Sequence, residues 1–167
     1  MPPVDLDKLL IARFYPERTR LESEVIRDFL TAHGLEYDRI EFSVRVGQGR
    51  TPNPAHLPGV QRATVFSTQK RIDLLCWQGT RPTIVEVKIR LTPASLGQIK
   101  TYRALLLEQY PELEEPKLLA VGAMSDEDTL RALTGEGVDV FLYPDALNRA
   151  QAARSGDTSD SGEPVRT

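Results

Sequence analysis

The sequence predicts an α/β fold in one domain over residues 1–150, a mixed central sheet flanked by helices in the order αβββαβαβ. Three observations carry this prediction. Segments with helical spacing interleave with segments of strand character, and such interleaving builds a sheet with helices packed on it. Two apolar runs, Arg71–Trp77 and Thr83–Ile89, stand on either side of a short Gln78–Pro82 turn and read as paired strands. Both runs carry charge among their apolar residues: Asp73 in the first, Glu86 and Lys88 in the second. Carboxylates and an ammonium are costly to desolvate, so a chain that places them there points to their use.

Each element follows in order. Residues 5–14 read as a short helix or arm. In residues 19–33, Leu21, Val25, Ile26, Phe29 and Leu30 recur at spacings of three and four, which makes one apolar helical face, and Gly34 supplies a stop. Residues 39–46 alternate polar and apolar, the pattern of a half-buried strand. Residues 47–61 hold Gly47, Gly49, Pro52, Pro54, Pro58 and Gly59 and are expected to form a long functional loop. Gly47-Gln48-Gly49 has no third glycine, so it is no dinucleotide fingerprint. Residues 62–77 and 83–89 are the next strands. Pro93 suits a first helical turn, and Ile99, Tyr102 and Leu106 give the helix over residues 93–110 its buried face. Residues 117–123 are a buried strand, Ser125 caps a short acidic-headed helix that Gly135 and Gly137 end, and residues 138–143 form the last strand. Residues 151–167 contain almost nothing apolar and are expected to be a disordered tail.

Composition narrows the function. With 167 residues, 40% hydrophobic and 27% charged, the chain reads as a globular protein able to bury a core. No apolar run approaches a membrane span, and the first residues show no basic-then-apolar secretory pattern. A lone Cys76 forms no internal disulfide, which fits a reducing compartment, the cytoplasm or a host's cytoplasm if the chain is viral. His33, His56 and Cys76 are too few for a structural zinc site, and His56 is expected in solvent. The net charge of −3 speaks against a simply basic nucleic-acid binder. Its distribution says more. Residues 45–90 hold eight Lys/Arg against Asp73 and Glu86, net +6, which leaves −9 for the remainder. Such a stripe suits a surface that tracks phosphates, and Arg50, Arg62, Lys70, Arg71 and Lys100 are the contacts expected.

Side chains alternate along a strand, so Glu86 and Lys88 point the same way. Splitting a phosphodiester requires charge neutralisation, an activated water and a stabilised leaving oxygen. Mg²⁺ or Mn²⁺ held by carboxylates supplies these. Asp73 and Glu86 are the expected ligands, with Lys88 as water-orienting base or charge stabiliser.

Asp73, twelve intervening residues and Glu86-Val87-Lys88 resemble the core of the PD-(D/E)XK nuclease superfamily, whose fold is restriction-endonuclease-like. Gln98-Ile99-Lys100-Thr101-Tyr102 resembles the Q-x-x-x-Y motif of its RecB-like and lambda-exonuclease-like branch. The resemblance covers residues 19–110, with one departure: Ile72 stands where the family often has proline. It implies a Mg²⁺-dependent deoxyribonuclease, with Gln98 and Tyr102 beside the catalytic Asp73, Glu86 and Lys88. It also implies a metal-side glutamate on the first helix. Glu22, at the edge of the apolar face, is preferred over Glu24, with an ordinary dipole-favoured acid as the plain alternative. The chain length leaves no room for a helicase, which points to action as a homo-oligomer, on a DNA structure, or as a subunit of a larger complex. The alternative is a non-catalytic module of the same fold that binds DNA or assembles a phage or repair complex. A small-molecule enzyme is disfavoured because phosphate-loop, nucleophile-elbow and cofactor motifs are all missing.

Overall fold

The computed structural model describes residues 5–12 and 14–156. Its elements are α1 (Leu6–Ile11), α2 (Arg20–His33), β1 (Arg39–Val46), α3 (Pro58–Thr68), β2 (Lys70–Gln78), β3 (Arg81–Arg90), α4 (Pro93–Gln109), β4 (Lys117–Met124), α5 (Glu127–Gly135), β5 (Val138–Leu142) and α6 (Asp145–Gly156). The five strands form one sheet in the order β1-β2-β3-β4-β5. The pairs β1–β2 and β2–β3 are antiparallel, while β3–β4 and β4–β5 are parallel. This is the mixed sheet between helices that the sequence predicts.

Local chemistry sets the helices. Thr19 and Glu22 close a capping box at the start of α2: Glu22 N–H donates to Thr19 Oγ1 at 3.2 Å, and Thr19 N–H donates to Glu22 Oε2 at 2.9 Å. The predicted face of α2 is its buried one, with Val25, Ile26, Phe29 and Leu30 all fully covered. They pack with Leu74, Cys76, Val85, Val87, Leu119 and Val121 to form the core on one face of the sheet. On the other face, Tyr102 and Leu106 of α4 cover Ile72, Leu75 and Ile84, and Leu133 of α5 joins Ile99 and Ala120. Burial raises the Cys76 thiol well above its ordinary pKa, so it stays neutral. Near the β2–β3 turn, the Arg39 guanidinium lies 4.2 Å from the centre of the Trp77 ring, and Trp77 Nε1 donates to Glu41 at 2.7 Å.

Four expectations are corrected. The stretch from residue 58 is not loop and strand but helix α3 up to Thr68, and β2 begins only at Lys70. Thr64, Val65 and Phe66 favour a strand by type. Here, however, Pro58 pre-sets the first turn, and the hydroxyls of Thr64 and Thr68 donate back to Val60 O and Thr64 O. None of the α3 residues is buried, so no core packing opposes the helix. Second, β1 does not keep one apolar face. Ile40 and Phe42 pack in the core under α2, whereas Val44 and Val46 join the core under α4. The strand turns over at Ser43, which stands at φ 55° opposite Asp73 and is skipped in the pairing. Third, the cap of α5 is Asp126, whose carboxylate accepts from Thr129 N–H at 2.8 Å, while Ser125 donates to Leu91 O. Fourth, the element order gains α3 and α6, while the short helix or arm read at residues 5–14 is α1. Helix α6 runs to Gly156, past residue 150, and the rest of the expected tail, residues 157–167, lies outside the described residues. Among the described residues, no helix is long and apolar enough to cross a membrane.

Gly122 of β4 pairs with Lys88 at the end of β3, and a Cβ there would lie 3.0 Å from Lys88 O and 2.9 Å from Leu91 Cγ. Gly122→Ala is therefore expected to lower stability by about 1–3 kcal/mol in urea unfolding, because the Lys88 backbone must move.

Candidate active site

Four elements converge on the predicted acids. β2 brings Asp73, β3 brings Glu86 and Lys88, α4 brings Gln98 and Tyr102, and the turn before α2 brings Arg18. Asp73 and Glu86 are 3% and 0% exposed. Asp73 Oδ2 accepts from Val87 N–H at 2.7 Å, a bond that pins the first carboxylate to the backbone between Glu86 and Lys88. Its Oδ1 lies 2.6 Å from Arg18 Nη2, and both side chains of that ion pair are almost wholly covered. Lys88 Nζ lies 2.8 Å from Glu86 Oε1, with the lysine side chain one-third exposed. The predicted sharing of one face by Glu86 and Lys88 is thus observed. Glu86 Oε2 is buried and has no hydrogen-bond donor among the described residues. Oε1 is met by charge at short range rather than by a well-directed hydrogen bond.

The electrostatics follow from burial. Desolvation raises the Glu86 carboxyl from its ordinary 4.5 to about 7, with the neighbouring Asp73 charge adding to it and Lys88 pulling it down. Desolvation likewise raises Asp73, against Arg18, the Val87 N–H and Lys88. Tyr102 is pushed up to about 12 by burial and by the negative charge of Glu86 and Asp73, so it stays a neutral hydroxyl. Gln98 Nε2 donates to the Tyr102 hydroxyl at 3.3 Å, which fixes the i, i+4 pair on one face of α4.

The other predicted residues are distributed as follows. Glu22 spends its carboxylate on the capping box of α2, although its charge still reaches Asp73 and raises it. Glu24 is held by Arg27 at 2.7 Å and by Arg149 at 3.5 Å. Arg50, Arg62 and Lys70 are exposed on the loop, on α3 and at the head of β2. Arg71 is half-buried and bound to Glu17. Lys100 is bound to Glu136 at the end of α5. The residue that sequence reasoning missed is Arg18. It lies in Glu17-Arg18-Thr19-Arg20, where nothing in the local pattern sets one arginine apart from the other, and its partner is 55 positions away.

The donor set can be tested against a divalent cation. Among the described residues no group of three or more His, Cys, Asp and Glu gathers. Two carboxylates do meet, and they are hard oxygen donors of the kind Mg²⁺ and Mn²⁺ take while keeping water in their other positions. The orphaned, buried Glu86 Oε2 is the atom such an ion would satisfy. Asp73 Oδ1 would serve only if Arg18 withdrew from it. The residues therefore fit a cation held by one or two carboxylates.

The raised Glu86 pKa has a consequence for stability. A folded-state value above 4.5 means that the fold favours the neutral acid. The stabilisation is complete below the unfolded value and is lost as pH rises through about 7. In EDTA, Glu86→Gln is expected to match wild type near the ordinary carboxylate pKa and to exceed it by on the order of 3 kcal/mol above neutrality. Urea unfolding across that pH range checks it, and parallel curves for the two proteins would contradict it.

The chain has a partial likeness to two solved structures. A repair endonuclease from Pyrococcus abyssi matches at 18% identity and a TM-score of 0.44, over 79% of this chain and 49% of that one. A protein of unknown function matches at 12% identity and a TM-score of 0.38, over 81% of this chain and 66% of that one. The chain thus spans about half the length of the first and about two-thirds of the second. No family model and no curated protein matches it.

Proposed function

We propose that this protein is a metal-dependent DNA nuclease that hydrolyses phosphodiester bonds at Asp73, Glu86 and Lys88. One observation supports this reading above the others. Two carboxylates are buried side by side beside a lysine one-third exposed, with a Glu86 oxygen left without a donor. A fold built only for stability gains little from such a cluster, because desolvation costs more than the pairing returns.

In this reading Asp73 and Glu86 hold Mg²⁺ or Mn²⁺, which, when bound, supplies charge neutralisation at the scissile phosphate and a more acidic water. The Val87 N–H keeps Asp73 aimed. Lys88 reaches solvent from beside Glu86, so its ammonium can orient the attacking water or meet charge developing on the phosphate. Tyr102, held by Gln98, presents a neutral hydroxyl next to both acids and positions them. Arg50, Arg62, Lys70 and Arg71 are backbone contacts for DNA, sequence-independent by type.

A second reading keeps the fold without the chemistry, as a DNA-binding or assembly module. The Arg18–Asp73 ion pair favours it, since a cation already neutralises that carboxylate. Metal separates the two readings. A nuclease should gain several degrees of melting temperature from millimolar Mg²⁺ or Mn²⁺, and Asp73→Ala should abolish the gain. Equal melting with and without metal would favour the module.

The decisive test is incubation with linear, circular and branched DNA in Mg²⁺. Wild type is expected to cut at least one, and Asp73→Ala and Lys88→Ala should each lower the rate by about 100-fold or more. If wild type cuts none of them, the catalytic reading falls.

A further inference from the structure

The turn from Tyr15 to Arg18 carries two charges side by side, and both are committed across the sheet. Arg18 faces Asp73. Glu17 faces two arginines: its Oε2 is bound by Arg71 Nη1, and its Oε1 lies 3.7 Å from Arg45 Nη2. Arg45 and Arg71 are direct cross-strand partners in the β1–β2 register. Like charges placed directly opposite one another destabilise a sheet unless an anion lies between them. The Arg45 guanidinium is also fixed from beside. Arg45 donates to Phe66 O at 2.7 Å and stacks 3.6 Å from the centre of the Phe66 ring on α3. The two arginines thus make an anion site, and Glu17 fills it.

The anion that fills it is held at a cost. Glu17 stands at φ 58°, the left-handed region that residues other than glycine adopt only under strain. The turn is tied on either side. Tyr15 is buried and stacks on Phe42, Ser43 donates to Pro16 O at 3.3 Å, and Arg18 N–H donates to Tyr15 O at 3.2 Å. Glu17 itself is 46% exposed at its side chain, so its carboxylate can leave into water without unpacking the core.

We propose that Arg45 and Arg71 form a binding site for a phosphodiester of the substrate strand, and that the Glu17 carboxylate is its internal stand-in until nucleic acid arrives. The ligand class rests on the nuclease reading above, whereas the anion site rests on the arginine pair. The planar forks of two guanidiniums suit the paired oxygens of a phosphate as well as those of a carboxylate.

The test uses Glu17→Gln, which keeps the shape and removes the charge. In EDTA it should bind a short fluorescein-labelled DNA duplex about threefold to tenfold more tightly than wild type, while its melting temperature falls by a few degrees because the arginine pair loses its counter-charge. Adding Arg71→Ala should cancel the gain. Inorganic phosphate, which needs no nuclease to bind, should raise the melting temperature of Glu17→Gln more than that of wild type. A Glu17→Gln protein that is folded, with a cooperative melt, and binds DNA no more tightly overturns the proposal. If wild type cuts DNA but Glu17→Gln shows no gain, the anion site fails alone. If Glu17→Gln gains affinity while wild type cuts nothing, the catalytic reading fails and the anion site stands.

Discussion

Two carboxylates buried next to each other are the constraint around which the rest of the molecule is arranged. Asp73 and Glu86 cannot both be charged in a dry site without help, and the help comes from separate places. A backbone N–H from β3 serves one oxygen of Asp73, the Arg18 guanidinium serves the other, and Lys88 reaches Glu86 from the same strand. What is left is a Glu86 carboxylate with neither oxygen in a well-directed hydrogen bond and its pKa pushed up to about 7 by burial. The pair of acids is thus only partly neutralised by the groups around it.

The sheet provides the position. Asp73 lies where β1 and β2 change faces, so the strands do not run flat past it. Ser43, opposite, adopts a left-handed backbone and holds the Tyr15–Arg18 turn through Pro16. The same irregularity sends Arg45 and Arg71 to the side where that turn crosses. Acids and arginines therefore share one organising defect in otherwise regular pairing, and bulges of this kind often aim side chains at a site.

Much of this was legible in the sequence wherever the signal was local. The spacing of Val25, Ile26, Phe29 and Leu30 allows only an amphipathic helix. The β2–β3 hairpin was visible because two apolar runs flank a turn at Gly79, which stands at φ 57°. The shared face of Glu86 and Lys88 follows from strand geometry alone. What stayed hidden depended on contacts across the chain. Helix α3 is hidden in the sequence because β-branched residues usually report packing against a sheet, and here none of them is buried. The turnover at Ser43 leaves no mark, since serine is unremarkable in a strand. Arg18 and Glu17 gain their meaning only from partners more than twenty residues away.

Trp77 is the single indole of the chain and lies on β2, four residues beyond Asp73 or about 13 Å along the strand. It is clamped between the Arg39 cation and the Glu41 carboxylate, outside the acidic cluster. Its emission therefore reads the integrity of the β1–β2 edge without interference from another fluorophore of its type. Loss of that strand pairing would free the ring into water and shift its spectrum to the red, so the molecule carries its own optical gauge of whether the scaffold beneath the acids is still assembled.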